Sequence, residues 1–200
     1  MNMEISAIRL EALKEIGNIG SGHAATSLSK LLQARIDMSV PKVWLVPLEK
    51  LSEALGEYDT VQVALYLKVE GDAPGKAIFV LPIESARVIA QKLLSLSERP
   101  DIFSDEMAQS ALQEVGNILV SSFIIALSKF SGVLLHPSIP AIAIDMVGAI
   151  IDSVLLEEGM VDDDVLIIDT KLSGVKEVEG KFFFIPSKGS LDKLLGVFGI

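Results

Sequence analysis

Residues 11–41 read EALKEIGNIGSGHAATSLSKLLQARIDMSVP, and residues 110–140 read SALQEVGNILVSSFIIALSKFSGVLLHPSIP. The two stretches align at an offset of 99 residues without a gap, and 11 of the 31 positions are identical. Ordinary amino-acid usage would give about two identities by chance. The copies are too few and the period too long for a solenoid. We therefore predict one domain over residues 1–200 that contains a duplicated half-domain, with repeats at about residues 4–97 and 104–200.

The hydrophobic pattern predicts the same order of elements in both halves: a long helix, an apolar β-branched stretch, a short helix and two strands. The predicted bounds are 4–32, 36–46, 48–55, 60–70 and 76–81, then 104–130, 133–144, 145–156, 164–172 and 181–185. A helix at 83–96 joins the halves, and the short turns between strands favour antiparallel pairing. We therefore expect an α+β fold, internally duplicated and pseudo-two-fold, with a roughly six-stranded, mostly antiparallel sheet covered by long helices.

The composition excludes several classes of function. The 200 residues include 27 Asp and Glu against 17 Lys and Arg, a formal net charge of -10. Such a chain repels phosphate backbones, so we expect no nucleic-acid partner. It has no Cys, which excludes a thiol nucleophile, a disulfide framework and a Cys-based zinc site. The acidic group between residues 157 and 164 lacks the alternation of a calcium loop, so we predict no metal site.

The least charged stretch, residues 115–144, raises the question of a membrane span. A spanning helix needs about 20 consecutive apolar residues, and here Ser121, Lys129 and two prolines interrupt the run. The first six residues lack the basic and apolar regions of a signal peptide. We therefore expect a cytoplasmic protein without membrane insertion.

The identical polar positions fall on one face of each long helix. Residues three, four and seven apart share a helix face. One stripe consists of Glu11, Glu15, Asn18 and Gly22, and its counterpart of Ser110, Glu114, Asn117 and Ser121. A carboxamide has an acceptor oxygen and two donor hydrogens and does not titrate, so it can aim a water molecule at a reactive electrophile. The neighbouring carboxylate can pair with a lysine or hold a partner in register.

A single E-x-x-N pattern is short and common, and a solvated helix position is then the simpler interpretation. Here the pattern occurs twice, each time with 22 residues between the asparagine and a proline, Pro41 or Pro140. The identical polar residues also stand inside helices that have otherwise diverged. This recurrence favours a functional interpretation.

The full pattern, S-x-x-x-E-x-x-N followed by proline, resembles the signature of the CheC/CheX/FliY family of chemotaxis phosphatases. The second copy matches it in full, at Ser110, Glu114, Asn117 and Pro140. The first copy matches at Glu15, Asn18 and Pro41, while Glu11 replaces the usual Asp or Ser. The resemblance spans essentially the whole chain, and two copies are typical of the two-site members of the family.

The resemblance implies a substrate, phosphorylated CheY, whose aspartyl phosphate hydrolyses slowly by itself with its own Mg²⁺. Asn18 or Asn117 would orient the attacking water, and Glu15 or Glu114 would contact the CheY active-site region. No cofactor is expected beyond the Mg²⁺ that CheY supplies. Because Glu11 is bulkier than the usual residue, we expect the first site to be the less efficient.

Residues 145–156 allow two interpretations. Val147, Ile150, Ile151, Val154 and Leu155 form an apolar stripe, which periodicity alone favours as core packing. The resemblance implies instead that this helix binds the receptor deamidase CheD, through Asp145, Ile151, Asp152 and Leu155. The protein would then be a monomer or a heterodimer with CheD. An alternative function follows, that of a mainly non-enzymatic adaptor that binds CheD and uses phosphorylated CheY as a signal.

Overall fold

A computed structural model describes residues 7–51, 53, 59–158, 163–174 and 178–196. The helices are α1 (Ala7–Leu32), α2 (Ile83–Leu93), α3 (Glu106–Ser131), α4 (Val147–Glu158) and α5 (Ser190–Gly196). The strands are β1 (Asp37–Pro47), β2 (Val61–Gly71), β3 (Gly75–Pro82), β4 (Leu135–Pro137), β5 (Ala141–Met146), β6 (Asp164–Ser173) and β7 (Val178–Pro186). A 3-10 turn (Leu48–Lys50) follows β1.

The strands form one antiparallel sheet, which has seven strands within the described residues. Their order is β1-β6-β7-β3-β2-β4, and β5 pairs with β2 beside β4. If β4 and β5 together are taken as the counterpart of β1, the order is the same from both edges, with the pseudo-two-fold axis between β7 and β3. The predicted duplicated α+β fold with an antiparallel sheet is confirmed.

Each half of the chain supplies an edge strand to the other half. Strand β1, from the first repeat, pairs with β6 from the second. Strands β4 and β5, from the second repeat, pair with β2 from the first. The halves are therefore interlocked, because the outer pairing of the sheet joins residues from different repeats on both sides.

A proline interrupts each edge strand at the equivalent place. The pairing of β1 with β6 shifts register between Ser39 and Lys42, and the other edge breaks between Pro137 and Ala141. Proline has no N–H to give to a ladder and is found at sheet edges and bulges. Pro41 and Pro140 lie at these two breaks. The second break is the wider one, and the apolar β-branched stretch predicted at 133–144 therefore contains two strands, β4 and β5.

The interlocked halves meet at equivalent glycines. Gly71 and Gly174, at the ends of β2 and β6, have φ of 115° and 116°. A Cβ at these positions would collide with the carbonyl oxygens of Leu134 and Arg35, respectively. Those two partners are 99 residues apart, so the same contact is made twice. A residue other than glycine would meet both the strained φ and the collision.

The sheet has helices on both faces. Apolar residues of α1, α2, α3 and α5 pack in the larger core on one face, and those of α4 and Leu51 pack in a smaller core on the other. Within the described residues, α3 has the length and composition of a membrane span, and half of that apolar window is buried in the fold. Leu112, Leu119 and Phe123 of α3 lie in the larger core, which accounts for the helix's apolar character.

The structure differs from the helix predictions most clearly in two places. Helix α5 was not predicted, since its seven residues, about two turns, are too few to show a period. Helix α2 ends at Leu93 rather than at 96, and Ser95 beyond it has a positive φ of 53°. Of the helix predicted at 48–55, residues 52 and 54–55 lie outside the described residues, as do residues 4–6 of the first predicted helix.

Candidate functional site

The four predicted site side chains lie on the outward stripes of α1 and α3. Glu15, Asn18 and Glu114 are exposed, and Asn117 is half-buried. Neither glutamate forms an ion pair or a hydrogen bond with the part of the chain that the structure describes. The intervening apolar residues, such as Ile16 and Val115, are buried in the core. Each helix therefore presents a carboxylate and a carboxamide on the same outer face.

A hydrogen bond explains the distance in sequence between the first asparagine and its proline. The backbone N–H of Val40 donates to Oδ1 of Asn18, with 3.1 Å between nitrogen and oxygen. Val40 directly precedes Pro41 and falls in the break where β1 loses register with β6. The break frees this amide from the sheet, and the bond turns the NH₂ of the carboxamide away from β1. The number of residues between Asn18 and Pro41 is therefore the length of chain needed to bring the break in β1 back beside Asn18.

The second copy holds its asparagine in another way. Oδ1 of Asn117 accepts a hydrogen bond from the hydroxyl of Ser121, at 3.2 Å, one turn further along α3. Ile139, which is equivalent to Val40 in the repeat, is 91% exposed, whereas Val40 is 2% exposed. The two sites share a sequence pattern but differ in the group that fixes the carboxamide.

The supporting residues of the motif lie around these stripes. Glu11 and Ser110 are exposed one turn before the glutamates. Pro41 is exposed and Pro140 is buried.

The glycine before each asparagine sits where the helix crosses the sheet. A Cβ on Gly116 would lie 2.7 Å from Cβ of Leu65 in β2. A Cβ on Gly17 would lie 3.4 Å from the nearest atoms of Val40, which is ordinary contact. Neither Gly17 nor Gly116 was among the predicted site residues. The signal was present in the repeat, where Gly17 and Gly116 are among the identities.

The repeated Leu-Ser-Lys segment has a structural role. The N–H of Ile36 donates to Oγ of Ser29 at 2.9 Å, and the N–H of Leu135 donates to Oγ of Ser128 at 3.2 Å. Both bonds tie the last turn of a long helix to the strand that follows. The identities between the repeats therefore include residues with a structural role as well as the candidate site residues.

The residues predicted to bind CheD divide between core and surface. Ile151 is 2% exposed and packs with Val147, Ile150 and Val154 against the sheet. Core packing thus accounts for the apolar stripe, and the side chain of Ile151 is not at the surface. Asp145 and Asp152 are exposed and Leu155 is half-buried.

No group of three or more metal-ligating side chains is found among the described residues. Residues 159–162 of the acidic segment lie outside them.

Comparison with known proteins identifies the family of this chain. The model of the CheC-like family matches residues 8–45 and 107–144, two segments displaced by the 99 residues of the repeat. The CheY-P phosphatase CheC of Bacillus subtilis (strain 168) is 33% identical over 196 residues, which is 96% of this chain and 94% of that protein. Both matched segments contain the Glu-x-x-Asn pattern. The class is therefore that of internally duplicated α+β domains with this pattern on both repeat helices. The chain belongs to the CheC-like family, as predicted.

Solved structures share the architecture. The crystal structure of Thermotoga maritima FliY superposes with a TM-score of 0.77 at 24% identity, covering 98% of both chains. A chain of the CheX-CheY-BeF3-Mg+2 complex from Borrelia burgdorferi superposes with a TM-score of 0.51 at 21% identity, covering 84% of this chain and 96% of that one. At these identities the likeness is one of fold.

Proposed function

We propose that this protein accelerates hydrolysis of the aspartyl phosphate of phosphorylated CheY at two sites, one on α1 and one on α3. The observation that carries the proposal is the doubled outward stripe of glutamate and asparagine, with the oxygen of each carboxamide tied to its own repeat. The relationship to the CheY-P phosphatase CheC of Bacillus subtilis supports the choice of substrate.

The main contribution that hydrolysis of the aspartyl phosphate requires from this protein is positioning. Hydrolysis of a phosphoryl group needs a water molecule in line with the bond that breaks, and catalysis is mainly orientation and electrostatic stabilisation. Asn18 or Asn117 would enter beside the phosphate and present N–H donors and a remaining oxygen lone pair to that water. A carboxamide that is already fixed loses less conformational freedom when the substrate arrives.

The glutamates would set the register of the complex. Glu15 and Glu114 are exposed, and a carboxylate forms strong charge-assisted hydrogen bonds with an ammonium group. The expected contact is a lysine in the active-site region of CheY. The Mg²⁺ belongs to the substrate, and the proposal assigns no covalent intermediate and no metal to this chain.

The test is the decay of phosphorylated CheY with three variants, Asn18→Ala, Asn117→Ala and the double variant. The double variant should return the decay to the rate of phosphorylated CheY alone. Asn117→Ala should cost more than Asn18→Ala, because the bulkier Glu11 stands in the first motif. Ser27→Ala, an exposed position a half-turn round α1 from the stripe, is the control. Wild-type decay with a folded double variant would refute the proposal.

A second proposed function is the docking of CheD on α4. The observation that favours it is the exposure of Asp152 and Leu156 on this helix and of Asp145 near the end of β5, just before the helix begins, with Leu156 85% exposed. Since α4 lies on the sheet face opposite α1 and α3, CheD and CheY could be bound together. The adaptor and the phosphatase are then two surfaces of one molecule.

A further inference from the structure

The residue four positions after each asparagine differs between the two repeats. In the first copy this position is Gly22, and a Cβ there would meet nothing within 4 Å. Asn18 is held instead by the backbone amide of Val40. In the second copy the position is Ser121, and its hydroxyl donates to Asn117.

The hydrogen bond of Ser121 differs from those made by Ser21 in α1 and Ser153 in α4, which also lie within helices. Serine and threonine within helices commonly donate to the backbone carbonyl four residues earlier. Ser21 donates to the carbonyl oxygen of Gly17, and Ser153 to that of Ala149, at 2.9 and 2.8 Å. Residue 117 is likewise four residues before Ser121, yet the hydroxyl donates to the side-chain oxygen of Asn117. The bond is therefore directed at the carboxamide.

The break in the edge strand explains why the second site needs such a group. Ile139 is highly exposed, and within the described residues no backbone amide of β4, β5 or the break between them donates to Asn117. The terminal torsion of an asparagine is broad and readily populated over many angles. Without a partner, the carboxamide would rotate.

We propose that Ser121 is a positioning residue of the second site, whose hydroxyl holds the carboxamide of Asn117 with its NH₂ toward the substrate. It replaces the backbone amide that does the same for Asn18. The inference rests on the proposed function of Asn117 and deepens it, since it assigns different supporting groups to the two sites.

The kinetic test uses the Asn18→Ala background, in which only the second site acts. Ser121→Ala should lower kcat for phosphorylated CheY by roughly 2- to 10-fold, the range expected for one lost hydrogen bond. KM should stay unchanged, because the hydroxyl acts through Asn117. Ser121→Thr, which keeps the hydroxyl, should restore the rate. Ser122→Ala removes a neighbouring hydroxyl that makes no bond to Asn117 and should match the parent.

Two results of this assay would overturn the inference: a rate for Ser121→Ala equal to that of the parent, or a threonine variant no better than the alanine variant. A second readout needs no activity. The side-chain NH₂ resonances of Asn117 in the free protein should shift and show greater mobility in Ser121→Ala but not in Ser122→Ala. Unchanged resonances would also overturn it. If an Asn18→Ala/Asn117→Ala variant kept full activity, the proposed function would be refuted. The Asn117 resonances of the protein that retains this residue would still report on the Ser121–Asn117 bond.

Discussion

Gly116 brings the backbone of α3 closer to β2 than a side chain would permit. The space that a Cβ would need is taken by Cβ, Cγ and Cδ1 of Leu65, all within 2.9 Å. The next residue is Asn117, so the distance between α3 and the sheet also determines how far Asn117 lies from the sheet. Gly17 occupies the same place in the first repeat without the same crowding.

We expect Gly116→Ala to destabilise the protein and Gly17→Ala to be neutral or stabilising. Overpacking of a core contact costs about 1–3 kcal/mol, which exceeds the gain of up to about 1 kcal/mol from replacing glycine by alanine in a helix. At Gly17 only the gain applies. Urea unfolding of the two variants measures both free energies of unfolding. Equal stabilities for the pair would mean that the contact with Leu65 relaxes without cost.

At the scale of elements, α4 separates a packed side from an exposed side. Its apolar residues pack against the sheet together with Ile78, Phe183 and Ile185. Asp152 and Leu156 remain exposed, and these are the positions at which a partner would meet the helix. This surface lies on the sheet face opposite the stripes of α1 and α3, so the two proposed functions should be separable by mutation.

Asp152→Lys should weaken the binding of CheD by about tenfold or more, because reversing a charge in a complementary interface is unfavourable. The phosphatase rate should stay at the wild-type value. Titration calorimetry with CheD and the decay assay measure the two effects. Asp192→Lys, an equal charge reversal on α5 at the other sheet face, is the control. Unchanged affinity in Asp152→Lys would remove α4 as the docking surface.

For the whole molecule, the consequence of interlocked halves is that neither repeat has a complete sheet. Strand β1 pairs only with β6 in the described sheet, and β5 only with β2. A separated half would leave unpaired strand edges and exposed apolar faces, which favour aggregation. The unit of stability is therefore the pair of repeats.

We expect fragments 1–103 and 104–200 to lack a cooperative unfolding transition when each is alone, and to regain one when they are mixed. Circular dichroism with thermal unfolding of each fragment and of the mixture measures this. The intact chain provides the reference transition. A single fragment that unfolds cooperatively as a monomer would show that a repeat folds without the strand exchange.

The predictions from sequence succeeded where a pattern was repeated or periodic. The offset of 99 residues indicated the duplication, and the helix period placed Glu15 and Asn18 on one outward face. The identities between the repeats could not show that Asn18 is a candidate site residue and that Ser29 has a structural role. Both residues are polar and identical in the two repeats, although Ser29 ties a helix to a strand. Periodicity also could not decide whether Ile151 contacts the sheet or a partner.

The sequence by itself determined the class of fold, the family and the two pairs of glutamate and asparagine, since these depend on local period and on residue identity at fixed spacing. Tertiary structure alone decided which groups hold the carboxamides, where the edge strands break, and which repeat supplies each edge strand. These features depend on contacts between residues far apart in the chain, such as Val40 with Asn18 and β1 with β6. A strand carries no local mark of the partner with which it will pair, because any strand edge offers the same backbone hydrogen-bonding groups.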